Sequence, residues 1–238
     1  MNLTEPIITL DSMRFSYDDV FTLFVEKLQL DAGEALCFFG PSGCGKSTLL
    51  KVIAGALVPS DGNISICGRD LLSLSDEERK AHRIRNVGFV FQDFPLVNYL
   101  SALENVLLPY RINPALSLQP EDKQRAQSLL ETFGLGDKYS RRPDQLSQGE
   151  RQRVAIARSL ITEPKLILAD EPTAGLDPER SQQVMDFLLE HLEKHNVAVI
   201  CVTHDPSVRA RFHRALRFAL RQSDDGSVYI AENVEVRS

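Results

Sequence analysis

Cysteine is sparse: Cys37, Cys44, Cys67 and Cys201 are the only four in 238 residues. None forms a Cys-x-x-Cys pair and no histidine cluster accompanies them, which excludes the common zinc spacings and a disulfide framework. Cys37 and Cys201 lie in apolar runs and read as small buried hydrophobes. No run of 18 apolar residues occurs, so no segment is long enough to span a bilayer as a helix. A basic start followed by an apolar core is missing from the first residues, so no signal peptide is expected and the chain reads as cytoplasmic. Positive charge is short too: 27 Lys and Arg against 33 Asp and Glu give a net charge of −6. That is a poor footprint for a phosphate backbone, and no nucleic-acid partner is expected. Internal repeats, linkers and low-complexity stretches are also lacking, which points to one domain over residues 1–238.

What is present is ordinary for a globular chain, with 43% apolar and 25% charged residues. A chain of this length buries roughly 70% of its surface on folding, enough for a core without staples. Apolar runs of strand length alternate with helical periodicity, the pattern of an α/β fold. Residues 7–30 read as strand-rich, and 34–39 as a short apolar strand that ends at Gly40. A helix carrying Leu49, Leu50 and Ile53 follows and stops at Gly55. Residues 62–68 and 87–91 read as strands, with a helix between them opened by the capping pair Ser75 and Glu78. The middle third is helical. Ser101 with Glu104 caps a helix bearing Leu103, Val106, Leu107 and Tyr110. A second, after Pro120, aligns Ala126, Leu129, Leu130 and Phe133, and a third starts near Ser147 with Val154, Ala157 and Ile161. The reading is an α/β core over 1–92 and 161–238, interrupted by a helical subdomain at about 93–160. The core resumes with a strand at 166–169, a helix presenting Val184, Phe187, Leu188 and Leu192, and a strand at 197–203. A hairpin turning at Asp225-Gly226 closes the chain. The basic run Arg209, Arg211, Arg214, Arg217 and Arg221 reads as a solvated face.

Gly40-Pro41-Ser42-Gly43-Cys44-Gly45-Lys46-Ser47 fits G-x-x-x-x-G-K-[ST] between a strand and a helix, the setting of a phosphate loop. The glycines turn backbone N–H groups toward an anion, and the helix N-terminus adds a favourable field. Lys46 would reach the β- and γ-phosphates of a nucleotide, Ser47 would take one Mg²⁺ position, and Thr48 completes the nucleotide-binding set. Cys44 reads as a small residue of the loop. Leu166-Ile167-Leu168-Ala169-Asp170-Glu171 delivers two carboxylates at the end of an apolar strand, where α/β sheets bind ligands. Asp170 would hold Mg²⁺ and Glu171 would polarise a water against the γ-phosphate.

With these motifs on the page, the chain resembles the ATP-binding cassette (ABC) ATPases. Leu146-Ser147-Gln148-Gly149-Glu150, followed by Arg-Gln-Arg-Val-Ala-Ile-Ala-Arg, looks like their signature motif. Order and spacing hold across residues 8–205. The resemblance implies a P-loop NTPase (RecA-like) core with a strand-rich N-terminal subdomain and a helical insertion, and hydrolysis of ATP with Mg²⁺. It implies that Gln92 is the Q-loop residue, a catalytic and metal-facing group. His204 would be the switch histidine beside the catalytic Glu171, Asp177 would lie in the D-loop, and Tyr17 would stack on adenine. Ser147 and Gly149 would meet the γ-phosphate held by a second copy of the chain, in an ATP-dependent homodimer. Gln148 departs from the usual glycine and is expected to be a tolerated variant. Ser147 and Glu150 are also a helix-capping pair, and the two readings are compatible.

The stretch from Asp70 to Ile112 resembles one subfamily, the ATPases of lipoprotein-release, macrolide-export and cell-division systems (LolD, MacB and FtsE types). It implies a partner that is an integral membrane permease of the FtsX, MacB or LolC kind, holding the chain at the inner face of the membrane. Phe94, Leu96, Val97 and Tyr99, after Gln92, are expected to line the groove for a permease helix. The alternative is a soluble ABC ATPase acting on DNA or ribosomes. The DNA-repair types carry a long coiled coil and the translation types two cassettes in one chain, and this sequence has neither.

Overall fold

The computed structural model describes residues 5–17, 21–93, 95–223 and 226–235. Its two opening strands, β1 (Ile8–Ser16) and β2 (Thr22–Leu30), pair antiparallel. In β1 the inward residues are Ile8, Leu10, Met13 and Phe15, so the alternation slips by one after Leu10. A bulge between Asp11 and Arg14, with Ser12 at φ 52°, absorbs the extra residue and returns Met13 to the core. β3 (Ala35–Phe39) leads into α1 (Lys46–Ile53), and β4 (Asp61–Ile66) and β5 (Arg69–Asp70) form a small antiparallel margin. α2 (Asp76–Asn86), opened by the expected Ser75 and Glu78 capping box, precedes β6 (Val87–Val90).

Four helices intervene before the next strand: α3 (Ala102–Val106), α4 (Leu108–Ile112), α5 (Pro120–Thr132) and α6 (Gln148–Leu160). The single helix expected after Ser101 is two short ones, because Pro109 has no N–H to continue the first. Asn105, a polar residue that an apolar pattern passes over, is fully buried there. Its amide donates to the carbonyls of Val97, Leu100 and Ser101, and its oxygen accepts from Val97 N–H at 2.8 Å. The core then resumes with β7 (Leu166–Asp170), α7 (Pro178–Lys194), β8 (Ala198–Val202), α8 (Pro206–Arg209), β9 (Arg214–Ser223) and β10 (Gly226–Glu235). On α7, Met185 is buried and the expected Phe187 is 39% exposed. β9 and β10 pair antiparallel as the hairpin reading requires, though Asp225 of its turn lies outside the described residues.

Among the described residues one ten-stranded sheet runs β5-β4-β1-β2-β10-β9-β3-β8-β7-β6. The strands from β9 to β6 are mutually parallel, and helices cover them. β8 is buried at all five positions, as a parallel strand covered on both faces must be. The sheet separates two cores. Leu36, Phe38, Leu168 and Ile200 face α1, while Cys37, Ile167, Ala169 and Cys201 face α6 and α7. In the basic run Arg217 is exposed as expected, while three of its neighbours have partners. Arg209 lies over the Phe39 ring, Arg211 pairs with Asp186, and Arg214 pairs with Glu34 at 3.2 Å.

Candidate functional site

The parallel strands β3, β8, β7 and β6 all end at one edge of the sheet, so their following loops converge. After β3 the chain turns through Gly40 to Gly45 into α1. Gly45 caps that helix at φ 97°, and a Cβ there would lie 3.0 Å from the Phe21 ring, so glycine is required. Lys46 is 6% exposed, and its Nζ donates to the carbonyls of Gly40 at 2.9 Å and Pro41 at 2.7 Å. Its Nζ also lies 3.6 Å from Sγ of Cys44, which is fully buried. Among the described residues its partners are all neutral. A desolvated ammonium on neutral acceptors is a site that an anion stabilises strongly.

Ser42, Gly43, Gly45, Lys46, Ser47 and Thr48 share one cleft of about 250 Å³ with Gln92, Asp170, Glu171 and His204. Residues far apart in sequence thus meet as the motifs require. Glu171 follows β7 at φ 49°, with its N–H donating to Val202 C=O at 3.0 Å. His204 Nε2 lies 3.2 Å from Glu171 Oε1, and the His204 N–H donates to Oε2 at 3.4 Å. The Oε1 contact lacks hydrogen-bond alignment, which leaves that oxygen's lone pairs available. Burial raises the Glu171 pKa; the nearby His204 and Lys46 act in the opposite sense. Ser47, Asp170 and Gln92 offer a hydroxyl, a carboxylate and an amide oxygen to the same cleft. Hard oxygens in small number suit Mg²⁺ that also binds phosphate, rather than a metal caged by protein alone.

Tyr17 stands beside the loop, 56% exposed, with its hydroxyl 3.5 Å from Thr48 Oγ1. Phe15 meets it edge-on at 4.8 Å and Phe21 at 5.6 Å, which props the ring without covering it. Ser147, Gly149 and Asp177 do not line the cleft. Ser147 is the exposed N-cap of α6: its Oγ accepts from Glu150 N–H at 3.3 Å, and Glu150 Oε2 accepts from Ser147 N–H at 2.7 Å. The ion pair with Lys138 and these Ser147 bonds bring the Glu150 pKa down to about 2. Gly149 is buried, and Asp177 opens α7 by accepting Ser181 N–H at 2.9 Å.

An apolar groove of about 660 Å³ adjoins Gln92, but its walls differ from the expected set. They are built by Phe89, Phe91 and Pro95 where β6 exits, and by Leu108, Pro109 and Ile112 of α4. Phe89 and Phe91 stack at 4.2 Å, leaving Phe91 45% exposed. Leu96 packs on the core instead, Val97 is tied to Asn105, Tyr99 is 76% exposed outside the groove, and Phe94 lies outside the described residues. Among the described residues, Leu96, Val97 and Tyr99 therefore do not line this groove. The groove is walled by half-buried Phe89 of β6, by exposed Phe91 just past the strand, and by the helix that restarts around Pro109.

Residues 25–174 match the family model described as ABC transporter. The lipoprotein-releasing system ATP-binding protein LolD of Pseudomonas syringae pv. tomato is 42% identical over 200 residues, covering 84% of this chain and 87% of that protein. The macrolide export ATP-binding/permease protein MacB of Rhodopirellula baltica is 39% identical over 89% of this chain and 30% of its own length. Among solved structures, the dimeric post-hydrolysis state of the ATP-binding cassette MJ0796 bound to ADP and Pi superposes with a TM-score of 0.79. It is 32% identical, with 97% of this chain and 99% of that chain covered.

Proposed function

This chain belongs to the ABC transporter family and is its ATP-binding, ATP-hydrolysing subunit on a RecA-like core; from that premise we propose how its residues divide the work and what the work drives. Lys46 gives up the Gly40 and Pro41 carbonyls and donates to the β- and γ-phosphates, while the N–H groups from Ser42 to Thr48 wrap the phosphate oxygens. Tyr17 offers its open face to the base. Bound Mg²⁺ supplies charge neutralisation at the phosphates, with Ser47, Asp170 and Gln92 as its protein oxygens. Glu171 orients a water through Oε1 and accepts its proton as the water oxygen bonds to the γ-phosphorus. The bond from that phosphorus to the bridging oxygen breaks, giving ADP and phosphate. His204 holds the Glu171 carboxylate in place and faces the departing charge.

Ser147, Gly149 and Asp177 lie off this cleft, which supports their use in trans. Two copies set head to tail bring the α6 N-terminus of one to the phosphate loop of the other, and the neighbour's cassette was solved as a dimer. The load is an integral membrane permease of the LolC, MacB or FtsX kind. It seats a cytoplasmic helix in the groove of Phe91 and Ile112 and keeps the chain at the inner membrane face. The membrane system exports or releases a substrate, in keeping with relatives named for lipoprotein release and macrolide export.

The single observation that carries this reading is the convergence of Lys46, Ser47, Asp170, Glu171, Gln92 and His204 on one cleft. Purified chain should hydrolyse ATP only with Mg²⁺, and Lys46→Ala should lower the rate by about 100-fold or more. Ile112→Glu should leave ATP binding intact and abolish co-purification with the permease. Hydrolysis by Lys46→Ala near the parent rate would sink the site; a permease complex that survives Ile112→Glu would move the docking surface elsewhere.

A further inference from the structure

The buried face of α6 carries a polar residue that the mechanism above does not use. Gln152 is fully buried, and its side-chain amide N–H donates to the carbonyl of Pro172. Four residues back on the same helix face, Gln148 Nε2 lies 2.9 Å from the point that a Cβ on Gly175 would occupy. Both glutamines therefore bear on the segment that runs from Glu171 to Asp177. Glu171 needs such support. It precedes a proline and sits at φ 49°, a conformation that costs a non-glycine residue free energy and persists only where surrounding contacts fix it. Its own peptide is held by Val202 C=O, and its carbonyl accepts from Ala174 N–H at 3.1 Å within the same turn. The bond from Gln152 comes from a different element, the helix whose N-cap is Ser147.

The other half of the Gln152 amide argues the same way. Its Oε1 is buried without a hydrogen bond. A methionine would fill that space without stranding a polar atom, so packing alone does not account for glutamine there. We infer that Gln152 is a positioning residue: through the Pro172 carbonyl it fixes the carboxylate of Glu171, and it thereby ties the end of α6 that serves one ATP to the carboxylate that serves the other. This rests on the reading of Glu171 as catalytic.

Two variants of the full chain test it, each measured for ATP binding and for single-turnover cleavage with protein in excess. Gln152→Met removes the donor and keeps the volume. It should bind ATP within about twofold of the parent and cleave it about tenfold or more slower. In a Glu171→Gln background it should add no further slowing, because the two act as one unit. Gln152→Glu has no proton to give when ionised, but its buried acid form has an O–H for Pro172. The rate of Gln152→Glu relative to the parent should therefore climb as pH falls from about 8.5 to about 6. This second variant carries the test if Gln152→Met fails to fold. A cleavage rate for Gln152→Met within twofold of the parent overturns the inference. So does a loss of ATP binding in step with rate, or a flat pH ratio for Gln152→Glu. Parent-like cleavage by Glu171→Gln alone would instead overturn the catalytic reading on which this one stands.

Discussion

The carboxyl of Glu171 sits in a cleft wall where burial disfavours its ionised form, and His204 and Lys46 offset that only in part. A pKa raised on folding means that the native state holds this proton more tightly than the unfolded chain does. The ionised carboxylate therefore costs stability above the raised value, and the cost disappears as pH falls to the ordinary carboxylate range. Glu171→Gln should melt at a higher temperature than the parent at pH 7.5, with the gap closing toward pH 4.5; thermal scans at the two pH values read it directly. ATP turnover in the parent should fall on the acid side at a pH above the ordinary glutamate value, because only the carboxylate accepts a proton. Tyr17 raises a different question at the same scale. Its exposed face has value only when a base covers it, so Tyr17→Ala should weaken ATP binding by about 1–3 kcal/mol and leave the rate at saturation unchanged. Nucleotide titration beside saturating kinetics separates the two. Lys46 and Glu171 were legible in the sequence because their chemistry demands a fixed spacing on the chain. Gln152 and Asn105 were not, because a buried amide is justified only by partners that the fold brings from elsewhere.

α6 shows how an element can carry two duties at its end. The Ser147 and Glu150 pair closes the helix N-terminus, and Lys138 adds a charge partner to the same carboxylate. Glu150 has its pKa lowered to about 2, so it stabilises the fold above the ordinary glutamate range and loses that contribution as pH falls through about 2. Both side chains keep some exposure, which screens the pair. Glu150→Gln should lower stability by roughly 1–2 kcal/mol at neutral pH in urea titrations, and the difference should vanish in strong acid. The other end of α6 lies against β6 so closely that a Cβ on Gly88 would collide with the Ser159 carbonyl and with Ile167. Gly88→Ala should destabilise the chain by about 1–3 kcal/mol, and a smaller effect would mean that α6 can shift on the sheet. The strand and helix pattern, with its capping pairs, could be read before the fold because each signal is local. The break at Pro109 was open to the same reading but was masked by an apolar period that runs through it. The identity of the groove walls was not readable, since β6, α4 and the end of α6 meet only in the folded chain.

At the scale of the whole molecule, one cleft holds the phosphate loop and both carboxylates, while Ser147 and Gly149 stand outside it. If two copies complete each other, Glu171→Gln should accumulate as a dimer with ATP, since each γ-phosphate stays to bridge the halves. Light scattering with and without ATP tests this; a monomer at saturating ATP and tens of micromolar protein would count strongly against the sandwich for the isolated chain. The strand order also sets where such a machine can yield. β3, which delivers the phosphate loop, has ladders to β9 and β8, and β7, which delivers Glu171, has ladders to β8 and β6. Among the described residues β6, which leads to Gln92 and forms part of the groove wall, is the edge strand of the sheet, with β7 as its one ladder partner. Displacing its end strains one ladder where the others would strain two. If a permease helix seats in the groove, its push would reach the nucleotide cleft through the edge strand beside Gln92, on the side away from the Lys46 loop.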